Sequence, residues 1–148
     1  MRRTLEGGYE LDDDPQLIQL EAVHDFISNC SYWARGRTVE ATVAAISGSA
    51  RVVGLYQDGA QVGFARAISD GATYAYLADV YVLSAHRGRG LGLALVREMV
   101  DSGPLRGVRW ALNTADAQAL YAKLGFSSDT PRYPAMERPS RPRGGRSG

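Results

Sequence analysis

Gly88, Gly90 and Gly92 alternate with two arginines in the stretch Arg87-Gly88-Arg89-Gly90-Leu91-Gly92, which an apolar run, Val80-Tyr81-Val82-Leu83, feeds directly. The glycines remove the Cβ atoms that would hold a phosphate away from the main chain. A helix starting after Gly90 presents unpaired N–H groups and the positive end of its dipole at the same mouth. Arg87 and Arg89 add mobile positive charge there. Such a strand, turn and helix reads as a cradle for phosphates; a basic solvated loop fits the same residues. A second candidate is Asp79, a lone carboxylate between Ala78 and Val80 on a strand that is otherwise apolar or aromatic. Strand alternation predicts it on one face with Leu77, Tyr81 and Leu83, where burial would raise its pKa toward the range of a general base. A structural carboxylate bonded to a loop or a tyrosine fits the same residue.

Spacing separates the phosphate-binding chemistries. A Walker-type loop ends in Gly-Lys-Ser/Thr, and the single lysine, Lys123, lies far from this loop. A dinucleotide fingerprint starting at Gly88 needs a glycine where Leu93 stands, and a carboxylate at the end of a second strand; the nearest acid, Asp101, falls at the end of the helix instead.

The loop resembles the Arg/Gln-x-x-Gly-x-Gly/Ala signature of the GCN5-related N-acetyltransferases (GNAT), matching it at every fixed position. Downstream, Asp116-Ala117-Gln118-Ala119-Leu120-Tyr121-Ala122-Lys123-Leu124-Gly125-Phe126 is similar to that family's helix-to-strand corner, Ala-x-x-Leu-Tyr-x-x-x-Gly-Phe, in the same order and at the same spacing. A looser resemblance runs from Tyr9 to Arg138.

The resemblance implies a GNAT fold, with a mixed sheet of six to seven strands and about four helices, and acetyl-coenzyme A as cosubstrate. It implies that Val80, Tyr81 and Val82 pair through their main chain with the pantetheine arm. Arg87, Gly88, Arg89, Gly90, Leu91, Gly92 and Leu93 would hold the pyrophosphate. Tyr121 matches the family tyrosine that protonates the departing sulfur, and a phenol with a pKa of about 10 keeps that proton at neutral pH. The base would be Asp79 or an ordered water. One position departs from the family: Thr114 stands where asparagine is common, with Asn113 one step earlier, and either could contact pantetheine.

The family's acceptor side is covered by the connection between the first two helices, here Ser31-Tyr32-Trp33-Ala34-Arg35-Gly36-Arg37. Tyr32 and Trp33 could wall an amine pocket by cation–π contact, and Arg35 or Arg37 could hold an anionic group. The function implied is acetyl transfer to a primary amine, with a small-molecule acceptor favoured. The alternative is an acetyl-coenzyme A-binding sensor or regulatory module without turnover.

Length and composition frame these readings. A chain of 148 residues with 45% hydrophobic content is one domain, expected over residues 1–138 and followed by an Arg/Gly/Pro-rich tail over 139–148, read as disordered. Of 17 basic residues, Arg138, Arg141, Arg143 and Arg146 follow the last acid, leaving 13 bases against 16 acids before them, so nucleic acid is not expected as a partner. One cysteine, Cys30, and two scattered histidines, His24 and His86, point to no disulfide, no metal and a cytoplasmic setting. No run approaches the ~20 apolar residues of a membrane span. A monomer or homodimer is expected.

The elements that must position these residues follow from periodicity and caps. A strand is predicted over 8–11, then a helix over 15–29 with Asp14 as cap and Pro15 at its first position. Thr38 caps a second helix that Gly48 ends. Three strands over 50–57, 61–68 and 73–83 form a meander, with an Asp58-Gly59 turn. A helix over 90–100, a strand over 108–113, a helix over 115–124, and strands near Phe126 and over 133–138 complete an α/β fold.

Overall fold

The computed structural model describes residues 1–129 and 133–143. Its six-stranded sheet runs in sequence order: β1 (Arg2–Thr4), β2 (Tyr9–Asp12), β3 (Arg51–Gln57), β4 (Ala60–Ser69), β5 (Tyr74–Val82) and β6 (Arg109–Ala111). The first five are antiparallel neighbours, and β6 joins parallel to β5. A parallel pair needs a crossover, and α3 (Leu91–Asp101) supplies it.

Two apolar clusters lie on the two faces of the sheet. Leu91, Leu95, Val96 and Met99 of α3 bury against Leu11, Val53, Leu55 and Leu77, with Leu120 and Tyr121 of α4 (Gln118–Ala122) packed at the margin. On the other face, Val23 and Ile27 of α1 (Leu20–Asn29) meet Val52, Phe64 and Tyr81, joined by Ile46 of α2 (Val39–Ser47). Phe26 stacks on Tyr81 with ring centroids 4.0 Å apart. Thus α1 and α3 each turn one apolar stripe to the sheet, as a 3.6-residue periodicity requires, whereas α2 buries Thr42 and leaves Val39 and Val43 exposed.

The predicted meander, the α2 cap and the crossover helix are present; the Thr38 hydroxyl accepts from Ala41 N at 3.1 Å. Four expectations change. The first helix starts at Leu20, because Pro15–Leu17 form only a 3-10 turn capped by Asp14, and Gln19 is extended. Gln19 instead exchanges two bonds with Gln61, its N–H donating to Oε1 at 2.7 Å and its own Oε1 accepting from Gln61 N at 3.0 Å. The last helix shrinks to five residues, since Thr114 Oγ1 accepts from Ala117 N and holds that turn outside the helix. No strand forms at Phe126 or over 133–138. β6 is three residues long and offers little edge to pair with, and Pro134 lacks the N–H a ladder needs. Conversely β1, whose residues are charged or polar and all exposed, carries no apolar alternation from which it could be read. The predicted tail falls partly on residues 144–148, outside the described residues.

A buried ionic knot ties the start of the chain to the end of α3. Arg51, on β3, donates to Glu98 Oε2 at 3.1 Å, to the Glu98 carbonyl at 2.9 Å and to Asp13 Oδ2. Arg3 Nε reaches Glu98 Oε1 at 2.6 Å. Gly103 ends α3 with a φ of +78°, and a Cβ there would stand 2.7 Å from Arg51 Cζ. The glycine is required both by the left-handed backbone and by the guanidinium packed against it.

Candidate active site

β5 and β6 pair only at Tyr74↔Arg109, Ala75↔Trp110 and Tyr76↔Ala111. Past Tyr76, residues 77–82 have no strand on that side among the described residues. Buried N–H and C=O groups need partners. The gap opens into a cleft of about 540 Å³ with Leu77, Ala78, Asp79 and Val80 on one side and Leu112, Asn113, Thr114 and Ala115 on another. Tyr32, Trp33 and Arg37 from the α1–α2 connection, Arg66 and Ile68 from β4, Tyr76 from β5, Asp116 and Ala117 from the turn before α4, and Tyr121 from α4 complete its lining.

A β-bulge shapes the floor. Phe64 pairs with Tyr81 and Arg66 with Ala78, so Asp79 and Val80 together oppose Ala65. Asp79 takes the bulge with a φ of +53°, in the left-handed region that a non-glycine residue seldom adopts. This overturns the predicted alternation. Leu77 packs in the α3-side cluster and Tyr81 in the α1-side cluster, so the two do not share a face. The bulge turns the Asp79 carboxylate toward the α1–α2 connection.

There Asp79 meets four donors. Arg66 Nε and Arg37 Nη1 each lie 2.7 Å from Oδ2, Arg37 Nη2 lies 3.3 Å from Oδ1, and Trp33 Nε1 donates to Oδ1 at 2.8 Å. Desolvation alone would raise the carboxyl pKa, but hydrogen bonds from Arg37, Arg66 and Trp33 outweigh it and hold the group below the ordinary carboxylate range. The expected rise is therefore reversed. Burial was legible in the sequence, whereas the two guanidiniums arrive from 42 and 13 residues away.

Tyr121 lines the cleft with its ring edge-on to Phe126, centroids 5.8 Å apart. Burial, with smaller contributions from Tyr32 and Asp116, pushes its phenol up to about 12, so it stays protonated at neutral pH. Tyr32 and Trp33 stand edge-to-face, and Tyr32 Oη accepts from Ala115 N at 2.9 Å, bridging the α1–α2 connection to the turn before α4. Arg35 does not line the cleft; Arg37, two residues on, does. Thr114 lines it too, although its hydroxyl already accepts from Ala117 N. Asn113 Nδ2 donates to Tyr76 Oη at 3.0 Å. Sequence reasoning missed Arg66. Its signal is a lone cation inside the apolar run Val62-Gly63-Phe64-Ala65-Arg66-Ala67-Ile68, a strand position where charge needs a buried partner.

The glycine-rich turn stands where β5 ends, beyond the residues that line the cleft. Gly88 and Gly90 have φ of +78° and +76°, and Gly90 caps α3 in the left-handed conformation with no capping side chain. The first N–H groups of α3 are thus open, and nothing lies within 4 Å of where a Cβ would sit at Gly88 or Gly90. Gly92 sits closer to the protein, a Cβ there lying 3.3 Å from Leu120 Cδ1. Arg87, Arg89 and both flanking glycines are exposed. Arg89 has no side-chain partner among the described residues, whereas Arg87 Nε donates to the Val82 carbonyl at 2.9 Å. His86 Nδ1 lies 2.7 Å from Tyr9 Oη, fastening the turn to β2. The Leu91 side chain is buried in the core and Leu93 is half-buried, so each could meet a ligand only through its main chain. Open backbone donors, free space and an unpaired cation fit a pyrophosphate. The bare edge of β5 beside them fits an amide-bearing arm. Tyr81 and Val82 bury their side chains in the two core clusters, and only Val80 of the three also lines the cleft.

Comparison with known proteins identifies the family and the fold. The profile of the acetyltransferase (GNAT) family matches residues 20–126. A candidate acetyltransferase of Gibberella zeae is 31% identical over 153 residues, covering 88% of this chain and 85% of its own. The crystal structure of a Xanthomonas campestris pv. campestris protein assigned to the GNAT family is 39% identical and superposes with a TM-score of 0.83, over 89% of this chain and 93% of that one. A Deinococcus radiodurans structure, 22% identical, shares the fold with a TM-score of 0.71, over 94% of this chain and 93% of that one. No helix among the described residues is long and apolar enough to cross a membrane. The chain belongs to the GNAT family and is an acetyl-coenzyme A-dependent N-acetyltransferase.

Proposed function

We propose that the protein acetylates a primary amine of a small molecule by direct attack while both substrates are bound, and that Tyr121 protonates the leaving sulfur. The observation that carries this reading is the opening between β5 and β6, flanked by the half-buried Tyr121 phenol and running toward the open N-terminus of α3. Acetyl-coenzyme A, when bound, supplies a thioester carbon open to attack by the amine. The main-chain N–H groups at the start of α3, with Arg89, hold its pyrophosphate. The unpaired main chain at Val80 takes the pantetheine amides, and Thr114 or Asn113 contacts the arm from across the cleft.

Tyr121 Oη carries the proton that a departing thiolate needs. Its high pKa keeps that proton in place across the range in which amines lose theirs. Asp79 stays ionised with both oxygens engaged by Arg37, Arg66 and Trp33, which makes it a poor proton acceptor. The amine proton then passes to an ordered water, and Asp79 acts by holding Trp33 and Arg37 against the cleft.

Thermal unfolding with acetyl-coenzyme A, and with NADH and S-adenosylmethionine as controls, tests the cofactor. At about a hundred times the dissociation constant the stabilisation is ~2.7 kcal/mol, a rise of roughly 5 to 10 °C for a chain of this size. A rise with acetyl-coenzyme A alone supports the reading, and none at saturation removes it.

A further inference from the structure

We propose that the acceptor is a primary amine that also bears an anionic group, a carboxylate or a phosphate, seated on Arg37 and Arg66. This deepens the acetyl-transfer reading and rests on it. The argument is one of charge. Two guanidiniums share one carboxylate on the cleft floor, so Asp79 neutralises one of them and a full positive charge is left over. The Arg66 side chain is 10% exposed and that of Arg37 21%, so water screens the surplus poorly. A buried charge without a partner is costly, and an anionic ligand group removes that cost.

The donors for such a group are in place. Arg66 Nη2 and Arg37 Nε have no hydrogen-bond partner among the described residues, and both side chains line the cleft. Their planar forks suit carboxylate or phosphate oxygens. The other charged lining residue, Asp116, is exposed on the turn before α4 and pairs with neither arginine. Water screens it, so it leaves the surplus on the floor in place. Trp33 is pinned by Asp79, and Tyr32 stands edge-on to it, 5.1 Å away between ring centroids. An acceptor anchored through its anionic end thus lies in the same cleft as Tyr121, with its amine free to reach the reacting centre.

Two matched pairs of amines test the seat by calorimetry on the full-length protein saturated with coenzyme A: L-phenylalanine against phenethylamine, and glucosamine 6-phosphate against glucosamine. The expected result is at least tenfold tighter binding of the anionic member in one pair, and the pair that responds separates carboxylate from phosphate. Arg37→Met should erase most of that preference. Asp79→Asn, which leaves both guanidiniums facing a neutral amide, should enlarge it. Opposite signs are not expected of residues that merely support the fold, and the wild-type comparison stands even where a variant folds poorly. Equal binding within both pairs, or no binding of any of the four amines, overturns the proposal. Thiol release from acetyl-coenzyme A is read separately. Anion preference without thiol release from any amine would sink the transfer reading and keep the seat, and thiol release without anion preference would do the reverse.

Discussion

Arg66 Nε lies 2.7 Å from Asp79 Oδ2 across paired strands, in a contact made possible by the bulge that places Asp79 and Val80 opposite the single residue Ala65. The ion pair sits beneath the cleft and, together with Arg37 and Trp33, keeps Asp79 ionised.

Stability should depend on pH through this carboxylate. Its folded pKa is depressed, so its contribution is fully present above the unfolded value of about 3.9 and is lost as pH falls through the lower folded value. Asp79→Asn leaves two poorly solvated guanidiniums without their counter-charge and should cost about 3 kcal/mol at pH 7. In urea unfolding the gap between wild type and variant should hold from pH 7 down to the unfolded value of about 3.9 and narrow below it. A gap that is constant with pH would show that the carboxylate charge contributes nothing.

Tyr121→Phe removes the phenol proton while preserving the ring that meets Phe126 edge-on. Loss of a general acid typically costs 10²- to 10⁴-fold in rate. We expect kcat to fall by ~100-fold or more, with the thermal shift on adding acetyl-coenzyme A retained. With the phenol pushed up to about 12, its ionisation should not limit the rate below about pH 10, so activity should rise with pH as the acceptor amine deprotonates. An unchanged kcat in the variant would assign sulfur protonation elsewhere and favour a binding module only if turnover were absent in both forms.

Gly90→Ala tests the cradle. The residue holds a φ of +76° at the start of α3, and a non-glycine residue there costs roughly 1 to 2 kcal/mol. Its added methyl meets no protein atom, so any further loss must come from the ligand. The variant should melt a few degrees lower and show a smaller rise with acetyl-coenzyme A, with affinity down ~10-fold or more. Full retention of affinity would move the pyrophosphate away from this loop.

Arg51→Leu should damage the fold and spare the chemistry. It strips the buried Glu98 of its Arg51 partner, leaving only Arg3, whose own side chain is 56% exposed. Breaking a buried ion pair from one side costs about 3 to 5 kcal/mol. Denaturant unfolding should register that loss, while KM for acetyl-coenzyme A in the remaining folded protein stays within about twofold of wild type. A larger change in KM would couple this knot to the cleft.

Features carried by neighbouring residues were legible in the chain itself. Glycines at 88 and 90 dictate a left-handed turn and an open helix start, the stripe from Leu91 to Val100 dictates a helix with one buried face, and the corner from Leu120 to Phe126 places a tyrosine beside a phenylalanine. Those depend on dihedral preference and on periodicity, which act over a few residues. The chemistry of Asp79 was decided elsewhere. Alternation puts it on a face with Leu77 and Tyr81, and the bulge at that same residue separates the two. Its pKa follows from Arg37 and Arg66, which are brought to it by the α1–α2 connection and by the β4 register. A bulge is a relation between two strands, and a pKa shift is a sum over charges within a few ångströms, so neither quantity is defined until the sheet has assembled.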